Sequence, residues 1–254
     1  ILNLCQFFIN IFKYLLLNIY MSLPQSCIKR IARDVSDIHK NSLANNGIFY
    51  VHDEENILNG CALIIGPDDT VYENGFYFFK FLFPDNYPYS PPKVTFCNYD
   101  NKTNTRFHPN LYRNGKTCLS LLNTWRGDGW TSCQNIRSVL LTLSSIFTSN
   151  PLTEEPGITI KHRDNIPYNK IITFKNIEIS IIRIITDCLN HKLNDFNVFS
   201  CIIKDVFEKN KYKIKDKIKN LKNNNLSCNV KVSVYNMECE INYKLLLDNF
   251  EKLI

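Results

Sequence analysis

The stretch Arg106-Phe-His-Pro-Asn-Leu-Tyr-Arg-Asn-Gly-Lys-Thr-Cys118-Leu-Ser120 decides how this chain is interpreted, because the predicted helices and strands lie on either side of it. It shows neither the helical period nor the strand alternation of apolar residues, and its Pro, Asn and Gly residues are typical of turns. It therefore predicts an irregular loop that carries one thiol, Cys118, placed eight residues after Asn110.

Two interpretations of Cys118 are open on this evidence. One cysteine among ten is most often a small, buried packing residue. A loop with Arg113 and Lys116 nearby instead favours a thiolate, which is both a nucleophile and a leaving group and so suits acyl transfer. A cysteine hydrolase would also need an imidazole, and His108 is the nearest candidate. Its position in mid-loop, next to Pro109, supports a structural hydrogen-bonding role at least as well.

The segment before the loop predicts one helix and an antiparallel sheet. Apolar residues recur at helical spacing over 28–38, with basic residues on the other faces. Four short apolar runs follow, and the turns between them contain Gly, Pro and Asn. We predict strands over 47–51, 61–65, 76–83 and 93–97.

The segment after the loop predicts two helices. Apolar residues from 136 to 147 recur at helical spacing, and Thr131 followed by Gln134 fits a capping box, so we expect a helix of roughly fifteen residues there. A second long helix is predicted over about 168–190. One helix, four strands, a loop and further helices indicate an α+β fold.

The composition changes beyond residue 193. The lysine-rich run 204–222 is most simply a solvated helix, with contact to an acidic substrate or a membrane surface as the alternatives. A short strand over 230–235 and an apolar-periodic segment over 241–253 follow. We expect a mostly helical extension that packs on the core.

Length, charge and cysteine usage limit the class of protein. A chain of 254 residues with 44% hydrophobic residues can build one sizeable core with an appended smaller unit. The formal charge of +6 fits an acidic partner but falls short of a nucleic-acid footprint. The ten cysteines are scattered without a CxxC pair, which favours the reduced thiols of an intracellular protein and predicts no metal site.

The apolar residues 1–21 are of doubtful status. They are interrupted by Asn, Gln and Lys, and the first methionine is Met21. A fragment or wrongly assigned upstream segment, an amphipathic helix and a membrane anchor all remain open, and we leave the segment out of the predicted fold.

Three motifs in one order resemble those of the ubiquitin-conjugating enzyme family. They are His108-Pro109-Asn110 followed by Cys118-Leu119, the segment 66–75 and the segment 83–94. The resemblance runs from about residue 26 to 190. It implies the UBC fold, with an N-terminal helix, a four-stranded antiparallel meander, an active-site loop and C-terminal helices. The implied division is a core domain over 22–190 and an extension over 191–254.

A finer resemblance points to a subclass. The segments 47–49, 112–116, 123–130 and 150–157 look like the large Ube2Z-type class, which has a C-terminal extension. The clearest sign is the insertion 123–130, because the commonest members have a shorter segment there. In that class ubiquitin is taken from the alternative activating enzyme rather than only from the principal one. Charging by the alternative enzyme is a finer hypothesis than conjugation itself.

The family resemblance implies a mechanism. Cys118 would accept ubiquitin, or a ubiquitin-like modifier, as a thioester from an activating enzyme and pass it to a substrate lysine, usually with a ligase. Asn110 would donate its amide toward the oxyanion or hold the loop, and as an alternative it is a turn residue. Glu154 and Glu155 would be a possible acidic gate, or else two solvated loop residues, and His108 would be structural.

Partner surfaces follow from the same resemblance. The first helix would meet the activating enzyme, and RING-type ligases would dock near the proline-rich loop, although solvated basic faces and a loop-capping tyrosine explain these residues as well. The residues are Lys29, Arg30 and Arg33 for the first surface and Tyr89, Ser132 and Cys133 for the second. We expect a monomer of the cytoplasm or nucleus, without cofactor, nucleic acid or membrane. The alternative is a non-catalytic ubiquitin-binding module of the same fold, which would lack the cysteine.

Overall fold

The computed structural model describes residues 23–98, 105–224 and 227–254. The expectations for residues 1–21 lie outside this range. Within it, no helix has the length and apolar character needed to cross a membrane. The nine cysteines found there are all free thiols.

The first helix, α1, spans Gln25–Lys40 as its period predicts. Its buried residues recur three or four positions apart, at Cys27, Ile31, Asp34 and Ile38, which is the spacing of one helical face. Asp34 is the polar member of this face, and the Tyr87 hydroxyl donates a hydrogen bond to its carboxylate at 2.5 Å. The buried carboxylate is therefore satisfied and links α1 to the proline-rich loop.

A four-stranded antiparallel sheet forms the centre of the molecule, and the predicted α+β class is confirmed. Its strands follow the chain order and are β1 Ile48–His52, β2 Asn59–Ile65, β3 Phe76–Leu82 and β4 Lys93–Phe96. From Phe76 to Phe79, β3 is buried on both faces. Tyr77 stacks on Phe147, with 4.5 Å between ring centroids, and Phe78 on the opposite face stacks on Phe196 at 4.4 Å. The core therefore covers one face of β3 and the C-terminal extension covers the other.

The helix after the loop, α2, spans Ile136–Ser145, so the predicted capping box at Thr131 and Gln134 is wrong. Asn135 caps the helix instead. Its Oδ1 atom accepts from the Ser138 N–H at 2.9 Å, and the Ser138 Oγ atom accepts from the Asn135 N–H at 3.0 Å. The third helical position of a capping box is usually Glu or Gln, and here it is Ser138. The pair Asn135 and Ser138 therefore does not match the usual sequence pattern.

The long helix predicted over 168–190 is interrupted. It consists of α3 Asn165–Lys175, a π-helical segment Asn176–Arg183 and α4 Ile184–Leu189. The interruption places the buried Asn176 against the sheet, where its Oδ1 atom accepts from the Tyr77 hydroxyl at 2.6 Å. The turns of a π-helix are wider than those of an α-helix, and such segments occur mostly as short interruptions of α-helices.

The extension contains two helices and a hairpin. After a 3₁₀ segment, Asn194–Phe199, come α5 Ser200–Asn224, β5 Cys228–Val232, β6 Met237–Ile241 and α6 Tyr243–Glu251. In place of the single strand expected over 230–235 there are thus two strands, and β6 was not predicted. The signal was present, because buried Met237, Cys239 and Ile241 alternate with exposed glutamates.

The lysine-rich helix α5 is not simply solvated. Lys213 and Lys217 lie 2.7 and 2.5 Å from the carboxylate of Glu73, in the turn between β2 and β3. Burial alone would raise the pKa of Glu73, but the hydrogen bonds from the two lysines lower it below its usual range. One face of the lysine run therefore attaches the extension to the sheet.

Candidate active site

Cys118 lies in a folded turn and is buried. Short β-bridges join His108 to Leu111 and Leu111 to Thr117, so the loop folds back on itself. The Cys118 N–H donates to the Asn110 carbonyl at 2.8 Å, and the residue is only 2% exposed. The loop predicted from its turn residues is thus present, but its thiol is covered.

Asn110 holds the backbone of this turn. Its Nδ2 atom donates to the Cys118 carbonyl oxygen at 2.6 Å, and its own N–H donates to His108 Nδ1 at 3.0 Å. In this arrangement the side-chain amide is used to fix the cysteine. Of the roles predicted for Asn110, the loop-holding one matches this geometry.

His108 lies fully buried beneath the turn. Burial lowers the pKa of its imidazole to about 3, and the positive charge of Arg106 acts in the same direction. A general base needs a pKa near the working pH, so an imidazole this acidic is a weak proton acceptor. With Nδ1 accepting from Asn110, His108 has the character of a structural residue.

Thr124 is a site residue that the sequence analysis missed. Its Oγ1 atom accepts from the Leu119 N–H at 2.9 Å and donates to the Thr117 carbonyl at 2.9 Å. One hydroxyl therefore bridges the residues on both sides of Cys118. Thr124 belongs to the insertion 123–130, and no local pattern marks it as a bridging residue.

The rest of the insertion closes back on the core. The Trp130 N–H donates to Asn123 Oδ1 at 2.8 Å, and the Trp130 indole donates to the Pro88 carbonyl at 2.6 Å. Trp125 is 41% exposed. The insertion is thus attached beside the cysteine at one end and to the proline-rich loop at the other.

The two candidate gate residues differ in their surroundings. Glu154 ends the 3₁₀ turn Pro151–Glu154 and is exposed, whereas Glu155 is half-buried. The Glu155 carboxylate accepts a hydrogen bond from the hydroxyl of Tyr235, in the turn between β5 and β6. Tyr235 is a second site residue that the sequence analysis missed.

The loop cations contact aromatic residues and backbone of the extension. The Arg106 guanidinium lies between the rings of Tyr112 and Tyr235, 3.8 and 4.3 Å from their centroids. Arg113 donates to the Tyr235 carbonyl at 2.5 Å, and burial together with the charge of Arg106 lowers the pKa of Arg113. Lys116 lies 5.6 Å from the Tyr112 ring. Both cations expected to favour the thiolate thus make contacts within the loop or with the extension.

The predicted partner surfaces are adjacent, and Arg30 joins them. Its guanidinium donates to Asp34 at 2.9 Å, to the Ser132 carbonyl at 2.7 Å and to the Gln134 carbonyl. Arg30 therefore holds the segment after the insertion rather than lying free on the helix. Four other predicted residues are exposed: Lys29, Arg33, Ser132 and Cys133. Tyr89 is 75% exposed.

Comparison with known proteins gives consistent matches. The family model described as "Ubiquitin-conjugating enzyme" matches residues 30–175. The chain is 42% identical over 160 residues to human ubiquitin-conjugating enzyme E2 Z, which covers 62% of this chain and 44% of the human protein. It is 41% identical over 157 residues to the Xenopus tropicalis protein of the same name, covering 61% and 49% of the two chains. A ubiquitin-conjugating enzyme E2 of African swine fever virus is 41% identical over 108 residues, covering 41% of this chain and 46% of the viral one. The chain spans about half the length of the curated relatives it matches.

Proposed function

Because this chain belongs to the ubiquitin-conjugating enzyme family, we propose that Cys118 carries ubiquitin or a ubiquitin-like modifier as a thioester. The modifier comes from an activating enzyme and goes to a substrate lysine. The observation that carries the proposal is the fixed turn around the thiol, which Asn110 and Thr124 hold from two sides. A nucleophile held in one geometry needs less reorganisation to reach its target.

The two transfers have the same form. In charging, the Cys118 thiolate attacks the thioester carbonyl on the activating enzyme, forms a new C–S bond and expels the thiolate of that enzyme. In discharge, a lysine amine attacks the new thioester, forms a C–N bond, loses a proton and expels the Cys118 thiolate. No cofactor enters either step.

Asn110 has the holding role in this scheme. Its amide donates to the Cys118 carbonyl, so its loss loosens the turn without removing the nucleophile. We expect Asn110→Ala to become charged but to discharge slowly to lysine. Discharge at the wild-type rate would show that the hydrogen bond from Asn110 to the Cys118 carbonyl is not needed for the transfer step.

Glu155 is the better candidate for the carboxylate that orients the lysine amine. A free lysine has a pKa of about 10.4, so the incoming amine must be positioned and must lose a proton. A carboxylate that is itself held in place does this better than a solvated one. Glu155 has a fixed partner in Tyr235, whereas Glu154 is exposed.

The proposal also includes two partner surfaces and a division of the chain into a core and an extension. Exposed Lys29 and Arg33 on α1 would meet the activating enzyme, and Tyr89 with the exposed Ser132 and Cys133 would meet a RING-type ligase. The insertion 123–130 supports charging by the alternative activating enzyme. The functional core would span 22–190 and the extension 191–254, in a monomer of the cytoplasm or nucleus.

A charging assay tests the proposal. The protein is mixed with ubiquitin, ATP and each activating enzyme separately, and the products are separated on a non-reducing gel. We expect an adduct that a thiol reductant removes, that Cys118→Ala abolishes and that Cys201→Ala retains, since Cys201 is exposed on α5. An adduct that persists in Cys118→Ala contradicts the assignment. Ubiquitin binding without any adduct would favour the non-catalytic module.

A further inference from the structure

The turn between β5 and β6 approaches the active-site loop in a strained conformation. Tyr235 and Asn236 have φ angles of 72° and 49°, and two successive left-handed residues are usually Asn or Gly. A bulky tyrosine in this region is uncommon and persists where surrounding contacts fix it. The Val234 N–H donates to the buried Asp164 carboxylate at 2.9 Å, which fixes the turn to the start of α3.

Three parts of Tyr235 make three separate contacts. The ring covers the Arg106 guanidinium, the backbone carbonyl accepts from Arg113 at 2.5 Å, and the hydroxyl donates to Glu155. Burial raises the pKa of the Tyr235 hydroxyl, and the Glu155 carboxylate adds to this, so the hydroxyl keeps its proton and remains a donor. Two of these contacts reach the active-site loop, and the third reaches the segment of Glu155.

These contacts form a continuous path from the gate carboxylate to the thiol. The Glu155 carboxylate binds the Tyr235 hydroxyl, and the Tyr235 ring lies on Arg106. Arg106 in turn donates to the Pro109 carbonyl, and the next residue, Asn110, exchanges two hydrogen bonds with Cys118. Such a path of direct contacts can fix two loops relative to each other.

We propose that Tyr235 is a positioning residue that sets Glu155 relative to Cys118, and that the extension thereby completes the active site. The inference rests on the proposed function, because it concerns the transfer step of the same cysteine. The hydroxyl acts on Glu155, whereas the ring acts on the Cys118 loop through Arg106. The two effects can therefore be separated by substitution.

Tyr235→Phe isolates the hydroxyl. It keeps the ring on Arg106 and removes the hydrogen bond to Glu155. Charging and discharge to free lysine are measured separately, with the activating enzyme stopped before lysine is added. We expect charging at the wild-type rate and discharge slowed by about tenfold, the scale for losing one hydrogen bond to a charged group. Tyr212→Phe is the matched control, because it removes the same atom from a tyrosine that is 67% exposed on α5.

A double substitution shows whether Tyr235 acts through Glu155. In a Glu155→Ala background, Tyr235→Phe should cause no further slowing of discharge, whereas in a Glu154→Ala background it should slow discharge as it does in the wild type. Discharge of Tyr235→Phe at the wild-type rate overturns the proposal. So does a full additional slowing in the Glu155→Ala background.

Hydrogen exchange gives a test that needs no charging. In the uncharged protein, Tyr235→Ala should speed amide exchange over 106–113 and 152–158, while the strands β1–β3 keep their protection. Unchanged exchange in both loops overturns the proposal. If the wild type accepts no modifier, the proposed function fails, and the exchange result still decides whether Tyr235 positions the two loops. If Tyr235→Ala does not fold, Tyr235→Phe is measured over 152–158 with the same two outcomes.

Discussion

Thr124→Val tests whether the insertion fixes the cysteine. Valine keeps the shape of threonine and removes the hydroxyl that accepts from the Leu119 N–H and donates to the Thr117 carbonyl, both at 2.9 Å. Leu119 is 5% exposed and Thr117 is 2% exposed. Thr124 itself is exposed, so the substitution leaves one donor and one acceptor, on either side of Cys118, without their partner but partly open to water.

The cost follows from these two groups. An unsatisfied, fully buried polar group costs about 1–3 kcal/mol, and water can replace part of these two contacts, so we expect a loss of about 1–2 kcal/mol in the free energy of unfolding. Urea unfolding measures it. We also expect charging of Cys118 to slow by about tenfold or more, because small displacements of a nucleophile are costly.

Thr186→Val is the matched control for this substitution. It removes a hydroxyl that donates to the Ile182 carbonyl at 2.8 Å on the exposed side of the helix. A surface change of this kind costs about 0.5 kcal/mol or less. If Thr124→Val loses no more stability than Thr186→Val, the two hydrogen bonds of the Thr124 hydroxyl do not stabilise the turn around Cys118, contrary to this prediction.

Three further predictions concern burial and charge. In the folded protein, iodoacetamide should modify the exposed Cys201 at least about tenfold faster than the buried Cys118, as measured by peptide mass spectrometry. Faster modification of Cys118 would show that its thiol is accessible to solvent. Two α5 lysines lower the pKa of Glu73, so its contribution to stability is present above about pH 4.5 and is lost as the pH falls through the lowered value. Glu73→Gln should therefore destabilise the protein at pH 7 but little at pH 3 in urea unfolding, and an equal loss at both would contradict this. Arg30→Ala should lower the free energy of unfolding by about 1–3 kcal/mol, because Arg30 donates hydrogen bonds to the segment after the insertion. The control Lys29→Ala, at an exposed position of the same helix, should lower it by about 0.5 kcal/mol or less. Equal losses in the two variants would contradict this prediction.

The local elements of the fold are predictable from sequence because each is set by neighbouring residues. The turn residues between strands give the meander to within two residues at each end, and the period over 28–38 gives α1 to within three. The long helix predicted over 168–190 was wrong in its interior, where the π-helical segment begins at Asn176 and coincides with a tertiary contact between Asn176 and Tyr77. Periodicity alone carries no information about such a contact.

The residues of the candidate site are likewise of two kinds: some lie within one sequence motif, and others come together only in the folded structure. Cys118, Asn110 and His108 lie within one short motif, and a family resemblance is enough to single them out. Arg113 and Tyr235, by contrast, are 122 positions apart in the chain, and their hydrogen bond exists only after the extension has folded onto the core. In the sequence Tyr235 looks like the last residue of an ordinary strand, predicted over 230–235.

The burial of Cys118 agrees with its proposed role as a carrier. Keeping water from the thioester carbonyl slows its hydrolysis, and a closed site favours a positioned amine over solvent. The loop contributes Asn110, the insertion contributes Thr124 and the extension contributes Tyr235, so three separate segments limit movement near the thiol. Because the last of these also binds Glu155, the same contacts that restrict solvent would place the carboxylate for the incoming amine. On this argument the extension would be part of the transfer machinery, and the hydrogen bond from the Val234 N–H to Asp164 would keep the hairpin in place beside α3.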